Sequence, residues 1–341
     1  MTDTVSVSAP LRGNTMQTGT MRFGLRTLAV LVCIYSVGAA IRQPATYAAT
    51  VRDYLWLAMP PVLFAVAVAM GFAILRRRQG GLAAQFHAFG RRARFVLAAV
   101  LLLVVGLSGF TTYKLLIPTV MPFIWDMPFD AIDRALHGGA PWQFTHALVP
   151  PIVEDIMGTF YGMPWFLYWF GTFGFVVFCV GEPLRSRYLW AISLSFILLG
   201  TVAATALASH GPIFFPEFGR TGYEGLIAAL DGNEVGRSMR ASAGYLFGAY
   251  SGQTPLLGGG ISAMPSMHVA IVTLNLCLYT GVNRWLAIPT GAYAVLVLIG
   301  SVHFGWHYAI DGYVSIAAVL ALWWLAGRLA RPSPAAAAAN A

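Results

Sequence analysis

Charge is what this sequence lacks. Of its 341 residues only 10% are Asp, Glu, Lys or Arg, against roughly 25% in an ordinary soluble domain. That is too little to cover the water-facing surface of a globule this size, and a soluble enzyme is excluded at the outset. Cysteine is also scarce. Cys33, Cys179 and Cys277 are odd in number and fall in apolar stretches, which excludes a disulfide framework and says nothing about the redox compartment. Internal repeats and heptads are absent too. The net charge of +8 could suggest a nucleic-acid partner, but the basic residues are not gathered in one patch.

What the chain has in excess is apolar length, with 58% hydrophobic residues. A helix crossing the hydrocarbon needs about 20 predominantly apolar residues. Candidate runs lie at 26–41, 54–75, 94–113, 157–180, 188–208, 267–282, 285–301 and 312–327. They are apolar on all sides rather than striped, as lipid-facing or bundle-buried helices are. The expected fold is therefore all-α, a polytopic transmembrane helical bundle of about eight spans. Residues 1–23 and 331–341 read as solvated, disordered termini, 24–92 as N-terminal spans and 93–330 as the catalytic membrane domain. The first run resembles a signal peptide but reads as an uncleaved anchor, because Arg42 follows it closely.

The loops carry an orientation signal. With a cytoplasmic N-terminus and alternating spans, 14 Lys/Arg fall on the cytoplasmic side and 7 opposite, as the positive-inside bias requires. Both termini are then cytoplasmic, in an integral protein of the plasma (inner) membrane. The 14 basic residues face only Asp3 and Glu182 there, so the basic excess is an orientation signal. Two long non-cytoplasmic loops, 114–156 and 209–265, are rich in Trp, Phe, Pro and Gly. They are expected to lie on the membrane surface, with a short helix over Leu226–Leu230.

Ionisable residues at membrane depth are expensive and point to function. Six of seven histidines fall on the non-cytoplasmic side: His137, His146, His210, His268, His303 and His307. In Met264–Ala270, Pro265 suits a helix start. Ser266 and His268 then occupy a first turn whose free N–H groups favour an anion. In Gly300–Gly312, His307 and Asp311 stand at i, i+4, one above the other on a helix, so the carboxylate can fix the imidazole tautomer and free its other nitrogen. Two spans separate the two segments, which puts His268 and the His307/Asp311 pair at one face. Plainer readings exist for each: an interfacial histidine bonded to a loop, and a His–Asp helix cap. A metal reading uses His303, His307 and Asp311 at i, i+4, i+8. Gly305 argues against a continuous helix there, and no HExxH-type glutamate accompanies the set. A transporter would want its charges at mid-depth in several spans, whereas here they gather at one interface.

Met264–Ala270 (MPSMHVA) followed by His307–Gly312 (HYAIDG) resembles the type 2 phosphatidic acid phosphatase superfamily. The flavour is similar to its inositolphosphotransferase branch, which includes fungal inositol phosphorylceramide synthase. Gly211–Pro216 (GPIFFP) resembles a further element of that branch, and Lys114–Pro118 (KLLIP) its first basic motif. The resemblance covers roughly 110–325 and implies a six-helix core after the N-terminal spans. It implies His307 as the nucleophile of a phosphohistidine intermediate, Asp311 as its orienting partner, and His268 as general acid and then base. Candidate phosphate or substrate contacts are Lys114, Arg220, Ser266, Gly211, Pro212 and Arg240, with Arg237 a further basic residue on that side and Arg220 the first choice, four residues after the Phe-Pro of the 211–216 element. The substrate is expected to be a lipid phosphate, with water or an alcohol as acceptor and no metal or other cofactor. One departure stands out. Phosphatases of the superfamily carry a Ser-Arg pair seven and six positions before the nucleophile, and here those positions are Gly300 and Ser301.

Overall fold

The computed structural model describes the backbone of residues 24–75, 82–252 and 258–330, and the side chains of these except 65–92. The expected disordered segments 1–23 and 331–341, and the side chains of Arg76–Arg78, Arg91 and Arg92, lie outside it. Among the described residues all regular structure is helical. The long helices are α1 (Leu25–Arg42), α2 (Pro44–Leu75) and α3 (Leu82–Val120). Three shorter ones follow: α4 (Asp126–His137), α5 (Pro141–Leu148) and α6 (Pro151–Tyr161). After α7 (Met163–Cys179), α8 (Leu184–Leu194) runs through a π-helical stretch, Ser195–Ala203, into the final turn α9 (Ala204–Ala206). The chain continues with α10 (Glu224–Asp231) and α11 (Glu234–Ser251). It closes with α12 (Met267–Val282), α13 (Arg284–His303) and α14 (Ala309–Leu329).

Five of these stretches are long and apolar enough to cross a membrane: Leu25–Arg42, Ala93–Val120, Leu184–Ala206, Arg284–His303 and Ala309–Leu329. A sixth candidate joins α6 and α7, bent by 48° at Gly162, so the run expected at 157–180 is interrupted, as a broken span or a re-entrant loop is. That count stops short of the expected eight. The 16 residues of α12 rise about 24 Å, less than the ~30 Å hydrocarbon core, and α2 enters residues whose side chains are not described. Large apolar side chains such as Ile34, Phe64, Leu167, Trp285 and Trp324 are more than half exposed. An exposed apolar belt of this kind calls for lipid as solvent.

Two cores divide the molecule. The membrane-depth core joins α1, α3, α7, α8, α12, α13 and α14 through residues such as Val176, Tyr188, Ile271, Leu274, Val297 and Val319. The second core lies over the ends where α12 and α14 begin, and the long loops build it as helices rather than as surface strips. It gathers Phe129, Ile213, Phe214, Phe215, Tyr223, Leu226, Leu230, Phe304 and Tyr308. The helix expected at Leu226–Leu230 is α10. Both leucines are fully buried, and burial at roughly 1.5–3 kcal/mol each holds an eight-residue helix that propensity alone would not.

The amphipathic helix α4 fastens this cap. Asp126, Asp130 and Asp133 recur at i, i+4, i+7, so all three face inward, and all are buried. Asp130 accepts the Tyr223 hydroxyl at 2.6 Å and pairs with Arg134 at 2.8 Å. Asp133 accepts the N–H groups of Ala309 (2.6 Å) and Ile310 (2.9 Å), two of the donors that a helix start leaves without an intrahelical partner. Burial pushes the Asp133 carboxyl up, against the pull of those two bonds. Replacing Asp133 by Ala strands both N–H groups, at about 1–3 kcal/mol each. Detergent-solubilised Asp133→Ala is therefore expected to unfold at clearly lower temperature, and Asp133→Asn, which keeps one acceptor oxygen, to fall between it and the wild type. Equal midpoints for all three proteins would remove α14 anchoring from the role of α4.

Candidate active site

Three segments far apart in sequence are stitched together under the cap. Ser209 accepts the Ala263 N–H on its carbonyl (2.9 Å) and the Met264 N–H on its hydroxyl (3.2 Å). The Ile213 N–H reaches the Gly305 carbonyl (2.8 Å), and the His307 N–H the Ser301 carbonyl (3.0 Å). The 209–216, 263–268 and 301–311 segments thus form one unit.

His307 lies just outside α14, not on it as the i, i+4 spacing suggests. Tyr308 is the N-cap and Asp311 the third helical residue. The Asp311 carboxylate reaches back to the Tyr308 N–H (3.1 Å) as half of a capping box. The pair still meets, because the same oxygen lies 3.2 Å from His307 Nδ1. His307 is 7% exposed and Asp311 fully buried. His268 sits in the first turn of α12, with Ser266 as N-cap accepting the Val269 N–H at 3.4 Å. The N–H groups of Met267 and His268 have no acceptor among the described residues. His268 lies within electrostatic reach of both His307 and Lys114. Its ring stacks on Tyr161 (centroids 4.8 Å, planes at 6°) and Trp165 (4.0 Å, 28°), and the Trp165 indole donates to its carbonyl at 3.3 Å.

The basic candidates separate by their partners. Lys114, the one lysine in the sequence, has no hydrogen-bond or ion-pair partner among the described residues. Its stem lies against Gly260, where a Cβ would come within 2.9 Å of Lys114 Cγ. Arg220 points instead to the Phe123 carbonyl (2.5 Å) and to Asp126 (3.7 Å), and it lines a recess with Tyr223, Glu224 and Asp231. Arg240 is held by Glu217 (3.3 Å) and Asp231 (3.5 Å), and Arg237 reaches the Asp231 carbonyl (3.1 Å). Among the phosphate candidates, then, the structure brings Lys114 and Ser266 to the histidines and gives the arginines carboxylate or carbonyl partners of their own.

Gly211 and Pro212 turn the chain beneath Trp306. Gly211 has φ 88°, and a Cβ there would lie 2.5 Å from the Trp306 carbonyl oxygen, so only glycine fits. Its N–H (2.9 Å), the His210 N–H (3.1 Å) and the Tyr308 hydroxyl (3.1 Å) all donate to the fully buried Asp126. His210 Nε2 is 3.4 Å from the same carboxylate. Burial pushes this imidazole down, with the Asp126 charge opposing. Burial and Asp126 both push the Tyr308 phenol up. Sequence reasoning missed Asp126, Asp133, Tyr161 and Trp165. The three-aspartate spacing on α4 was a readable signal for the first two.

His303, proposed from spacing as a partner of His307 and Asp311, ends α13 facing elsewhere. Its ring stacks on His146 (3.9 Å, 4°), and its Nε2 lies 3.3 Å from Glu154. The three residues do not share a helical face, because the turn at Phe304–Tyr308, with Gly305 at φ 71°, separates α13 from α14. Among the described residues, no group of three or more His, Cys, Asp or Glu side chains is arranged to hold a metal ion.

No curated protein and no solved structure matches the chain. A family profile does, over residues 128–325, which is more than half of the sequence and includes both histidine segments. Such a match supports a lipid-phosphate enzyme of phosphatase or phosphotransferase type. The chain belongs to the PAP2 superfamily, the type 2 phosphatidic acid phosphatases.

Proposed function

We propose that the protein is a lipid-phosphate phosphotransferase or phosphatase working through a phosphohistidine on His307. The observation that carries this reading is the 3.2 Å contact of His307 Nδ1 with Asp311, beside a second histidine. With Nδ1 held by a carboxylate, Nε2 keeps the lone pair of the neutral ring and can attack phosphorus. The P–O bond to the lipid alcohol breaks as the P–N bond forms, and His268 gives its proton to the leaving oxygen. His268 then takes a proton from water or an acceptor alcohol, whose oxygen attacks phosphorus and releases His307. Lys114 and the open N–H groups at the start of α12 supply positive charge to the phosphoryl oxygens without a metal. The turn separating His303 from His307 weighs against the metal-dependent alternative.

The lipid tail has a place beside the site. A recess of about 580 Å³ runs along α7, α12 and α13, lined by Phe160, Pro164, Tyr168, Tyr279, Pro289 and Tyr293. The segment similarities to the inositolphosphotransferase branch favour an inositol-phosphate-type headgroup as the transferred unit. The site faces outward from the cytoplasm with both termini inside, on the strength of Arg185, Arg284 and Arg328 at the ends of α8, α13 and α14 remote from the histidines.

Turnover of a lipid-phosphate panel by His307→Ala is expected to fall by roughly 10³-fold or more, and by His268→Ala roughly 10²- to 10⁴-fold. Both variants should remain folded in the membrane, and full activity in His307→Ala rejects the mechanism. Vanadate should inhibit and chelators should not; the opposite pair of results favours a metal hydrolase. Identifying products with and without inositol-type acceptors separates transfer from hydrolysis. For sidedness, a cysteine placed at the exposed Thr221, in a protein with Cys33, Cys179 and Cys277 replaced, should react with a membrane-impermeant maleimide in intact cells, and protection there reverses the topology.

A further inference from the structure

Tyr161 ends α6 at the break in the α6–α7 span, 4% exposed. Its position is tightly set. The ring lies nearly parallel to the His268 imidazole, with Phe304 at 6.2 Å. Gly300 on α13 lets it approach, since a Cβ at 300 would meet Tyr161 Cδ2 at 3.3 Å and Met157 Cγ at 3.0 Å. Yet the Tyr161 hydroxyl, fully buried, has no hydrogen-bond partner among the described residues. Asp311 lies within its electrostatic reach, and Asp311 Oδ1 is likewise unpartnered. A rigidly held donor without an acceptor costs folding free energy, and folded chains keep such groups where something else takes the bond.

We propose that the Tyr161 hydroxyl is a phosphate-contacting group of this site, donating to a phosphoryl oxygen held between His268 and His307. The proposal rests on the lipid-phosphate reading for the identity of the anion, and on the geometry of Tyr161 for the contact. It assigns to α6 a role that no motif on α12 or α14 supplies. The stack fixes the ring against the imidazole, so the hydroxyl is preorganised and need not be recruited when the anion arrives.

Orthovanadate binding to the purified full-length protein in detergent, measured by calorimetry, tests this directly. Tyr161→Phe should bind vanadate roughly 10- to 100-fold more weakly, the loss expected for one hydrogen bond to a charged group, with an unfolding midpoint in the absence of vanadate that is unchanged or raised. Wild-type affinity in Tyr161→Phe overturns the proposal, as does a wild type that binds no vanadate. A lowered midpoint with unchanged affinity also overturns it, because the hydroxyl then serves Asp311 as a structural partner. Should Tyr161→Phe fail to fold, difluorotyrosine at 161 retains the hydroxyl and makes it more acidic. The more acidic hydroxyl is the stronger donor, so vanadate should bind more tightly at neutral pH, and an unchanged affinity counts against the contact. A His307→Ala protein that still turns over substrate sinks the phosphohistidine mechanism alone, because the vanadate comparison is read independently of turnover.

Discussion

The placement of the candidate site depends on three carboxylates buried along one face of α4. Asp126, Asp130 and Asp133 accept, between them, the His210 and Gly211 N–H groups, the hydroxyls of Tyr308 and Tyr223, and the first N–H groups of α14. Burying a carboxylate without such partners is costly, and each partner stranded without its carboxylate is costly too. The network is therefore a constraint in both directions. It fixes the loop after α9, the start of α14 and the turn that bears His307 relative to one another, although 84 positions separate Asp126 from His210. In a chain with so little charge, most of the acidic residues near the site are engaged in holding backbone.

That engagement sorts the cations. Arg134, Arg220 and Arg240 each face a carboxylate, and Arg237 a carbonyl. Lys114 faces none among the described residues, and it lies within electrostatic reach of His268. A cation already matched to a fixed carboxylate attracts an anion weakly, since part of its field is cancelled nearby. A cation left unmatched in low-dielectric surroundings attracts one strongly. In the proposed mechanism, charge supply at the histidines therefore rests on Lys114 and the open N–H groups of α12.

The membrane helices and the two histidine segments were legible because their signals are local. Apolar length marks a span, and Met264–Ala270 and His307–Gly312 carry their residues within one turn of each other. The helical cap was not legible as such. Loops 114–156 and 209–265 read as surface strips because their helices are short, and what holds them is burial against one another, as with Leu226 and Leu230. The i, i+4, i+8 spacing of His303, His307 and Asp311 has no continuous helix beneath it, as Gly305 already signals in the sequence: one turn there cancels the helical period. The stacking of Tyr161 and Trp165 on His268 joins residues more than 100 positions apart across the bend at Gly162, and no sequence period encodes it.

Gly300 shows how the departure from the phosphatase pattern and the geometry of the site fit together. Where the pattern carries a Ser-Arg pair, this chain has Gly300 and Ser301. Ser301 turns its hydroxyl to the Leu298 carbonyl at 2.7 Å, inside its own helix. Neither position offers a donor to the site. The missing side chain at 300 instead leaves space that Met157 and Tyr161 occupy from α6. A Cβ at 300 would crowd Met157 Cγ at 3.0 Å and Tyr161 Cδ2 at 3.3 Å, so the glycine favours the close approach of the α6 ring to the imidazole. Helix α13 presents no cation at these positions and packs closely on the element that carries Tyr161.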